Sequence, residues 1–276
     1  MYCDLHTHSH YSDGSCSPSQ LIALAKQSNR IVALTDHNTV AGLPEFMTEA
    51  KKWGVTAVGG VELSTEYEGQ ELHLLGLFVP ESHYRTVEDW TQEYCNRKEQ
   101  SNQETVKRLQ EDGYAISYSD LIRQNGRYIN RVHIAGALCK AGYVQTISQA
   151  FDALLKEEHG YYQPPVRPSF FDALAFLLEI KSVPVIAHPL KDLKENTLHS
   201  LLSAAVSKGL VGMEVFHSSY SENQSKTAAE IAKAYALLPS GGSDFHGCRK
   251  PNTPFGIPEI PRQVYDDLLQ FKNSAF

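Results

Sequence analysis

Seven short apolar runs punctuate this chain of 276 residues, and nearly every one carries an imidazole or a carboxylate at its end. They cover residues 2–5, 31–35, 56–61, 72–79, 183–187, 212–216 and 236–240. Their apolar character is continuous rather than alternating, as expected of parallel strands covered on both faces. Helical spacing fills the gaps. Ser17 is placed to cap the first helix, Pro18 suits its first position and Gln20 completes a capping box. Leu21, Ile22, Leu24 and Ala25 then recur at helical intervals. Further helices are predicted over residues 43–53, 169–181, 197–208 and 222–236. Such strand–helix alternation gives an α/β fold with a parallel sheet, here closed into a barrel.

The length suits one barrel of roughly 200–250 residues plus an insertion. Residues 87–168 break the rhythm: they are polar, mainly helical, and end in Pro164-Pro165-Val166-Arg167-Pro168. They are expected to form a helical insertion between the fourth and fifth strands of a single barrel domain spanning residues 1–276. Because barrel loops after the strands surround the active site, the insertion is expected to act as a lid.

The polar residues at the run ends carry the chemistry. His6-Thr7-His8 follows the first run, and residues two apart in extended chain point the same way, so both imidazoles can face one cation. Asp13 lies in the turn Ser12-Asp13-Gly14. Thr35-Asp36-His37 closes the second run and Gly59-Gly60-Val61-Glu62 the third, where the glycines permit close approach of backbone or ligand. His73 lies within the fourth, Ala187-His188-Pro189 closes the fifth, and Ser243-Asp244-Phe245-His246 follows the seventh. Singly, each reads as a packed histidine or a turn aspartate. Together they would bury many unpartnered polar groups at one end of the sheet, which is costly. Coordination of two or three divalent cations by His6, His8, Asp13, His37, Glu62, His73, His188, Asp244 and His246 would satisfy them at once. The N/O donor set without thiolate suits Zn²⁺, Mn²⁺ or Fe²⁺ and argues against Cu(I). Clustered cations with open positions make hydroxide from water and bind phosphate oxygens.

Composition bounds the partners. The net charge is −7 with no basic block, which excludes wrapping of long duplex nucleic acid. No run of about 18 apolar residues predicts a membrane span. The five cysteines are scattered, with no C-x-x-C, so neither a disulfide framework nor a thiolate zinc site is expected. A reducing cytoplasm fits this usage, and the first residues lack the basic and apolar regions of a signal peptide.

His6-Thr7-His8, Asp13-Gly14, Thr35-Asp36-His37, Gly60-Val61-Glu62, His73, His188-Pro189 and Ser243-Asp244-Phe245-His246 occur in an order that resembles the PHP family, the polymerase and histidinol phosphatase domains. The resemblance implies a distorted (β/α)₇, TIM-barrel-like fold and phosphoester hydrolysis through a hydroxide bridging the metals. It implies one metal on His6, His8, Glu62 and Asp244, a second sharing Glu62 with His73 and His188, and a third on Asp13, His37 and His246. Some relatives carry histidine where this chain has Asp13. The chain looks most like the compact bacterial branch of 3′,5′-nucleoside bisphosphate phosphatases and 5′→3′ exoribonucleases. The expected substrate is therefore a small phosphorylated molecule such as a nucleotide, or a short single-stranded RNA end.

Within Asn130-Arg131-Val132-His133-Ile134-Ala135, composition alone reads Arg131 as a surface cation and His133 as a helix cap. The resemblance implies instead that this Arg-x-His-Ile-Ala motif reaches the phosphate. His217, ending the sixth run, is a candidate to bind a phosphate oxygen or protonate the leaving group. Asp4 and Asp36 are expected to orient ligand imidazoles from behind. Tyr161 and Tyr162 read as packing rings, with base stacking the alternative. Competing readings are a histidinol-phosphate-type phosphatase, a metal-dependent amidohydrolase and a non-catalytic module that binds metal or nucleotide. Many amidohydrolase barrels use a carboxylated lysine on the fourth strand, where this chain offers His73.

Overall fold

A computed structural model describes residues 1–125 and 129–276. The first half of the barrel contains β1 (Tyr2–Asp4), α1 (Pro18–Gln27), β2 (Arg30–Leu34), α2 (Leu43–Trp53), β3 (Ala57–Tyr67) and β4 (Gln70–Leu77). A helical segment follows, with α3 (Tyr84–Glu111), α4 (Tyr118–Asn125), α5 (Arg131–Lys140) and α6 (Ile147–Ala150). The chain then returns through α7 (Phe170–Glu179), β5 (Val183–Ile186), α8 (Pro189–Asp192), α9 (Glu195–Ser207), β6 (Gly212–His217), α10 (Glu222–Ala234) and β7 (Leu238–Gly242). It ends with β8 (Ile260–Pro261) and α11 (Arg262–Ala275).

All seven expected strands form and an eighth joins them, in the order β7-β6-β5-β4-β3-β2-β1-β8. The ring is nearly closed where the chain beyond β1 meets the chain beyond β7. There Leu5 N donates to Gly241 O (3.1 Å), Asp244 N donates to His6 O (2.9 Å), and Thr7 bridges Phe245. Gly242 is needed at this seam, since a Cβ on it would lie 2.2 Å from His6 Cβ. Gly60 serves strand packing rather than a ligand: its Cβ would meet Gly76 O and Thr35 Cγ2, both at 2.9 Å.

The expectation of a wholly parallel sheet is corrected at one strand. β1–β2, β2–β3, β5–β6 and β6–β7 are parallel, but β4 runs antiparallel to both β3 and β5. β3 is also longer than expected and forms a hairpin with β4 through Glu68-Gly69, with φ of 49° and 75°. A two-residue turn with both φ positive matches the twist of an antiparallel pair, and glycine meets that demand without strain. An apolar run has no direction of its own, so the Glu-Gly turn was the signal. The reversal matters for the site, because β4 starts at the mouth where the parallel strands end. His73, opposite Ser64 near that start, therefore shares the mouth with Glu62. The eighth strand was also unforeseen; it pairs antiparallel with β1.

The strands are apolar on both faces because two cores need them. In β2, Ile31 and Ala33 face the barrel interior with Leu75, Val183 and Val185, while Val32 and Leu34 pack outward against Leu21, Leu43 and Phe46. Val264 and Leu268 of α11 join the interior core. Apolar side chains thus fill one part of the interior, and imidazoles and carboxylates fill the mouth. The α1 start follows the expected capping box, with Ser17 and Gln20 bonded reciprocally. The helical segment has a core of its own, including Val106, Leu109, Ile134, Leu138 and Leu155. Near its origin α3 is tied to the barrel by Trp90 stacked on Phe176, with centroids 4.6 Å apart.

Candidate metal centre

Glu62, fully buried on β3, lies at the middle of the mouth. Its Oε2 faces His6 Nε2 and His8 Nε2, each at 3.2 Å, and His37 Nδ1 at 3.1 Å. Its Oε1 faces His73 Nδ1 at 2.9 Å and His188 Nε2 at 3.2 Å. The H-x-H pair thus points at a single carboxylate oxygen, as the extended chain after β1 dictates. Asp244 Oδ1 lies 3.3 Å from His8 Nε2 and 3.8 Å from His6 Nε2. Asp13 Oδ1 lies 3.1 Å from His246 Nε2, and its Oδ2 lies 3.7 Å from His37 Nε2. All nine candidate ligands are therefore brought to one place.

Their donor atoms form overlapping groups in which every pair lies within 4.8 Å. The groups include His8, Asp13, His37 and His246; His6, His8 and Asp244; His6, Glu62 and His188; and His37, Glu62 and His73. A further group, His73, His188 and Asp192, includes a carboxylate that sequence reasoning missed. Two positions depart from ordinary backbone: His188 has φ 27° and Asp244 φ 55°. Non-glycine residues in this region are strained and persist where surrounding structure holds them.

The donor set fits divalent cations on an observation of its own. His6 Nε2, both His8 nitrogens, His37 Nδ1, Glu62 Oε2, His73 Nδ1, His217 Nε2 and His246 Nε2 are buried without a hydrogen-bond partner among the described residues. Several lie about as close to a carboxylate as a hydrogen bond would bring them, yet none is aligned for one. Buried polar groups are ordinarily satisfied, so a set of convergent orphans calls for a cation. The charges agree. Burial would raise the Glu62 carboxyl, but His37, His6 and His73 outweigh it and hold it well below the usual carboxylate range. Burial lowers His37 well below the usual imidazole range, whereas at His73 the Glu62 and Glu71 carboxylates overcome burial and raise it to about 10. Neighbouring imidazoles cannot all carry protons, and a cation replaces the proton as counter-charge.

The orienting carboxylates are not those expected. Asp4 accepts from Ser243 N, Ser243 Oγ and Gly256 N, and Asp36 accepts from Ser9 N, Ser9 Oγ and Ser12 Oγ. Both fasten loops, because serine hydroxyls and backbone N–H groups already take their lone pairs. Glu214 instead meets His6 Nδ1 at 3.0 Å and also accepts from His188 N at 2.7 Å. Asp192 meets His188 Nδ1 at 2.7 Å. Glu214 was detectable as a lone acid inside the apolar run of β6, and Asp192 as the residue four beyond His188. Lys250 was also missed; its Nζ lies 2.9 Å from Asp244 Oδ2.

Two of the candidate substrate residues, His217 and Arg131, border the same mouth, and the third, His133, is buried. His217 Nε2 lies 3.6 Å from Asp244 Oδ2, with Nδ1 fixed by Ser219 Oγ at 2.8 Å. Arg131 opens α5, stacks 4.0 Å over the Tyr162 ring and lies 3.8 Å from Glu71 Oε2. His133 Nδ1 accepts from Asn130 N at 2.9 Å, which places its proton on Nε2 when neutral. Burial, with Arg249 nearby, lowers His133 to about 4. It is therefore a neutral donor at neutral pH rather than a proton source. Tyr162 is buried under Arg131 and Tyr161 bonds Asp112, so the reading of both rings as packing fits their contacts.

Comparison with known proteins agrees with this geometry. A 5′-3′ exoribonuclease of Haemophilus influenzae is 29% identical over 245 residues, covering 88% of this chain and 89% of its own length. A 3′,5′-nucleoside bisphosphate phosphatase of Chromobacterium violaceum is 28% identical over 273 residues, covering 96% of this chain and 95% of its own. A crystal structure from Bifidobacterium adolescentis, assigned as a metal-dependent phosphoesterase, superposes with a TM-score of 0.86 at 28% identity, over 97% of this chain and 95% of that one. The family model described as the PHP domain matches residues 4–164, more than half of the chain, and the chain therefore belongs to the PHP-domain family.

Proposed function

We propose that the phosphate esters this metal-dependent hydrolase cleaves are those of nucleotides: a nucleoside 3′,5′-bisphosphate or the 5′ end of a short RNA. The observation that carries the reading is the convergence of orphaned imidazole nitrogens on Glu62 and Asp244, beside a cleft lined by Asn130 and Arg131. The names of the relatives support the nucleotide class.

Three centres are proposed: His6, His8, Glu62 and Asp244 for one, Glu62, His73 and His188 for a second, and Asp13, His37 and His246 for a third. Bound there, Mn²⁺, Zn²⁺ or Fe²⁺ would lower the pKa of a ligated water towards about 7 and neutralise phosphate oxygens. The chain supplies the rest. Glu214 and Asp192 hold the His6 and His188 rings in their tautomers. Arg131, pre-oriented by Tyr162, offers a planar fork to an equatorial phosphate oxygen. His133 donates from Nε2. His217 presents Nε2 into the mouth, in position to hand a proton to the leaving oxygen. The helical segment after β4 brings Arg131 to the cleft, and we assign residues 87–168 as its lid.

The test is phosphate release by metal-loaded protein across mononucleotides, nucleoside bisphosphates, 5′-phosphorylated oligonucleotides and histidinol phosphate, with amides and lactones alongside. Preferred turnover of bisphosphate or RNA ends is expected. Turnover of amides, or of histidinol phosphate alone, would overturn the nucleotide reading.

A further inference from the structure

We propose that Lys250 is a positioning residue for the metal centre: it occupies one oxygen of Asp244 and leaves that carboxylate a single oxygen to give to a cation. The inference rests on the metal-dependent phosphoesterase reading above and deepens it. The two oxygens of Asp244 face different company. Oδ1 lies 3.3 Å from His8 Nε2, 3.4 Å from His246 Nδ1 and 3.8 Å from His6 Nε2. Oδ2 accepts a 2.9 Å hydrogen bond from Lys250 Nζ, and His217 Nε2 lies 3.6 Å from it. An ammonium that merely replaced a cation would sit among the imidazoles of Oδ1. Lys250 sits on the other oxygen, so the side of Asp244 that the H-x-H pair faces stays open.

The local backbone is built for this placement. Asp244 is held at φ 55°, and Gly247 turns the chain at φ 64°, where a Cβ would lie 2.1 Å from Ser15 Oγ. Ser15 N and Ser15 Oγ both donate to His246 O, at 3.1 and 3.3 Å, and Cys248 N donates to Ser15 Oγ at 2.9 Å. Residues 244–250 are thereby folded back and pinned to the loop that carries Asp13, which returns Lys250 onto Asp244. An ammonium beside a ligand opposes the cation that the ligand is there to hold, since like charges a few ångströms apart repel strongly outside bulk water. The opposition is offset where the second oxygen must not bind. A carboxylate that gives both oxygens fills one more position on the cation, and hydrolysis needs a position open for water. With Oδ2 engaged by Lys250, His6, His8, Glu62 and Asp244 can supply one donor atom each and leave that position free.

The experiment compares full-length wild type, Lys250→Met and Lys250→Arg, each chelated and then titrated with Mn²⁺ or Co²⁺. The Lys250 side chain is 36% exposed, so neither replacement opens the core. Lys250→Met is expected to bind Mn²⁺ about tenfold more tightly, because the opposing charge is gone and Oδ2 is free to chelate. Its kcat for phosphate release from 3′,5′-bisphosphoadenosine is expected to fall about 10–100-fold with KM unchanged. In the Co²⁺-loaded protein the visible d–d absorption should weaken, as it does when cobalt gains a ligand. Lys250→Arg, which keeps a charged donor, should return all three readouts towards wild type. Weaker Mn²⁺ binding by Lys250→Met would make the lysine a plain brace for Asp244 and overturn the assignment. Unchanged metal affinity and an unchanged cobalt spectrum would overturn it too, and a raised KM in that case would make Lys250 a phosphate contact. If wild-type protein releases no phosphate, the functional reading falls, and metal affinity with the cobalt spectrum still decides Lys250.

Discussion

The inner cluster around Glu62 and the loop girdle around Asp36 and Asp4 use the same kind of residue at the same depth. All three carboxylates are essentially sealed from solvent. They differ in what faces them. Asp36 and Asp4 are met by hydroxyls and backbone N–H groups in aligned hydrogen bonds of 2.5–2.9 Å. Glu62 is met by five imidazoles, and its Oε2 has no hydrogen bond at all. The lesson is that burial alone does not separate a ligand from a fastener. A satisfied carboxylate holds a loop, and a crowded but unsatisfied one waits for a cation.

The comparison is broken most severely at its centre. Glu62→Gln keeps the shape but removes the charge shared by two proposed centres, so phosphate release should fall by about a thousandfold or more, with bound metal lost in parallel. Metal analysis and initial rates check both. Retention of full metal content would place Glu62 among the fasteners. The girdle should respond in the opposite currency. Asp36→Ala strands Ser9 N, Ser9 Oγ and Ser12 Oγ, and should cost roughly 2–4 kcal/mol of folding stability in denaturant titration. The folded fraction should still bind metal; a normal midpoint with lost metal would reverse the distinction.

Glu214 sharpens it from between the two regions, since it touches an imidazole and a backbone N–H at once. Glu214→Gln should weaken metal affinity by about 10–100-fold, the usual effect of losing a carboxylate behind a ligating histidine. An unchanged affinity in a competition titration would show that the His6 ring needs no such support. The smallest effect concerns His133, whose pKa in the folded protein is lowered to about 4, chiefly by burial. The unfolded chain takes up this proton first as pH falls. The stabilisation from the neutral ring is therefore fully present above the ordinary imidazole pKa of about 6.5 and is lost as pH falls towards 4. Thermal melts across this window should have a shallower pH slope for His133→Gln than for wild type. Identical slopes would remove His133 from the titrating set.

Much of this architecture was legible in the chain because two periodic signals coincided. Apolar runs buried on both faces mark strands, and a ligand must sit where a strand reaches the mouth. His6, His8, His37, Glu62 and His188 announced themselves that way. The direction of β4 did not, because an apolar run such as Leu72–Leu75 carries no direction of its own; only Glu68-Gly69 encoded the reversal. Asp4 and Asp36 were misread because proximity in sequence to a ligand does not place a carboxylate behind its ring. The true orienting residues come from β6 and α8, elements that meet His6 and His188 only in the closed barrel. Lys250 was invisible for the same reason: a lysine acquires meaning from its neighbours in space. The C-terminal helix α11 was missed too, since its value lies in the contacts of Val264 and Leu268 with the interior core.

The most direct test of the central claim is a metal titration of chelated, full-length protein, following phosphate release and metal bound per chain together. Negligible release is predicted at zero metal, with activity returning as Mn²⁺ or Zn²⁺ occupies at least two sites and with no such recovery in Glu62→Gln. Full turnover by the metal-free chain, or binding that Glu62→Gln leaves untouched, would contradict the account.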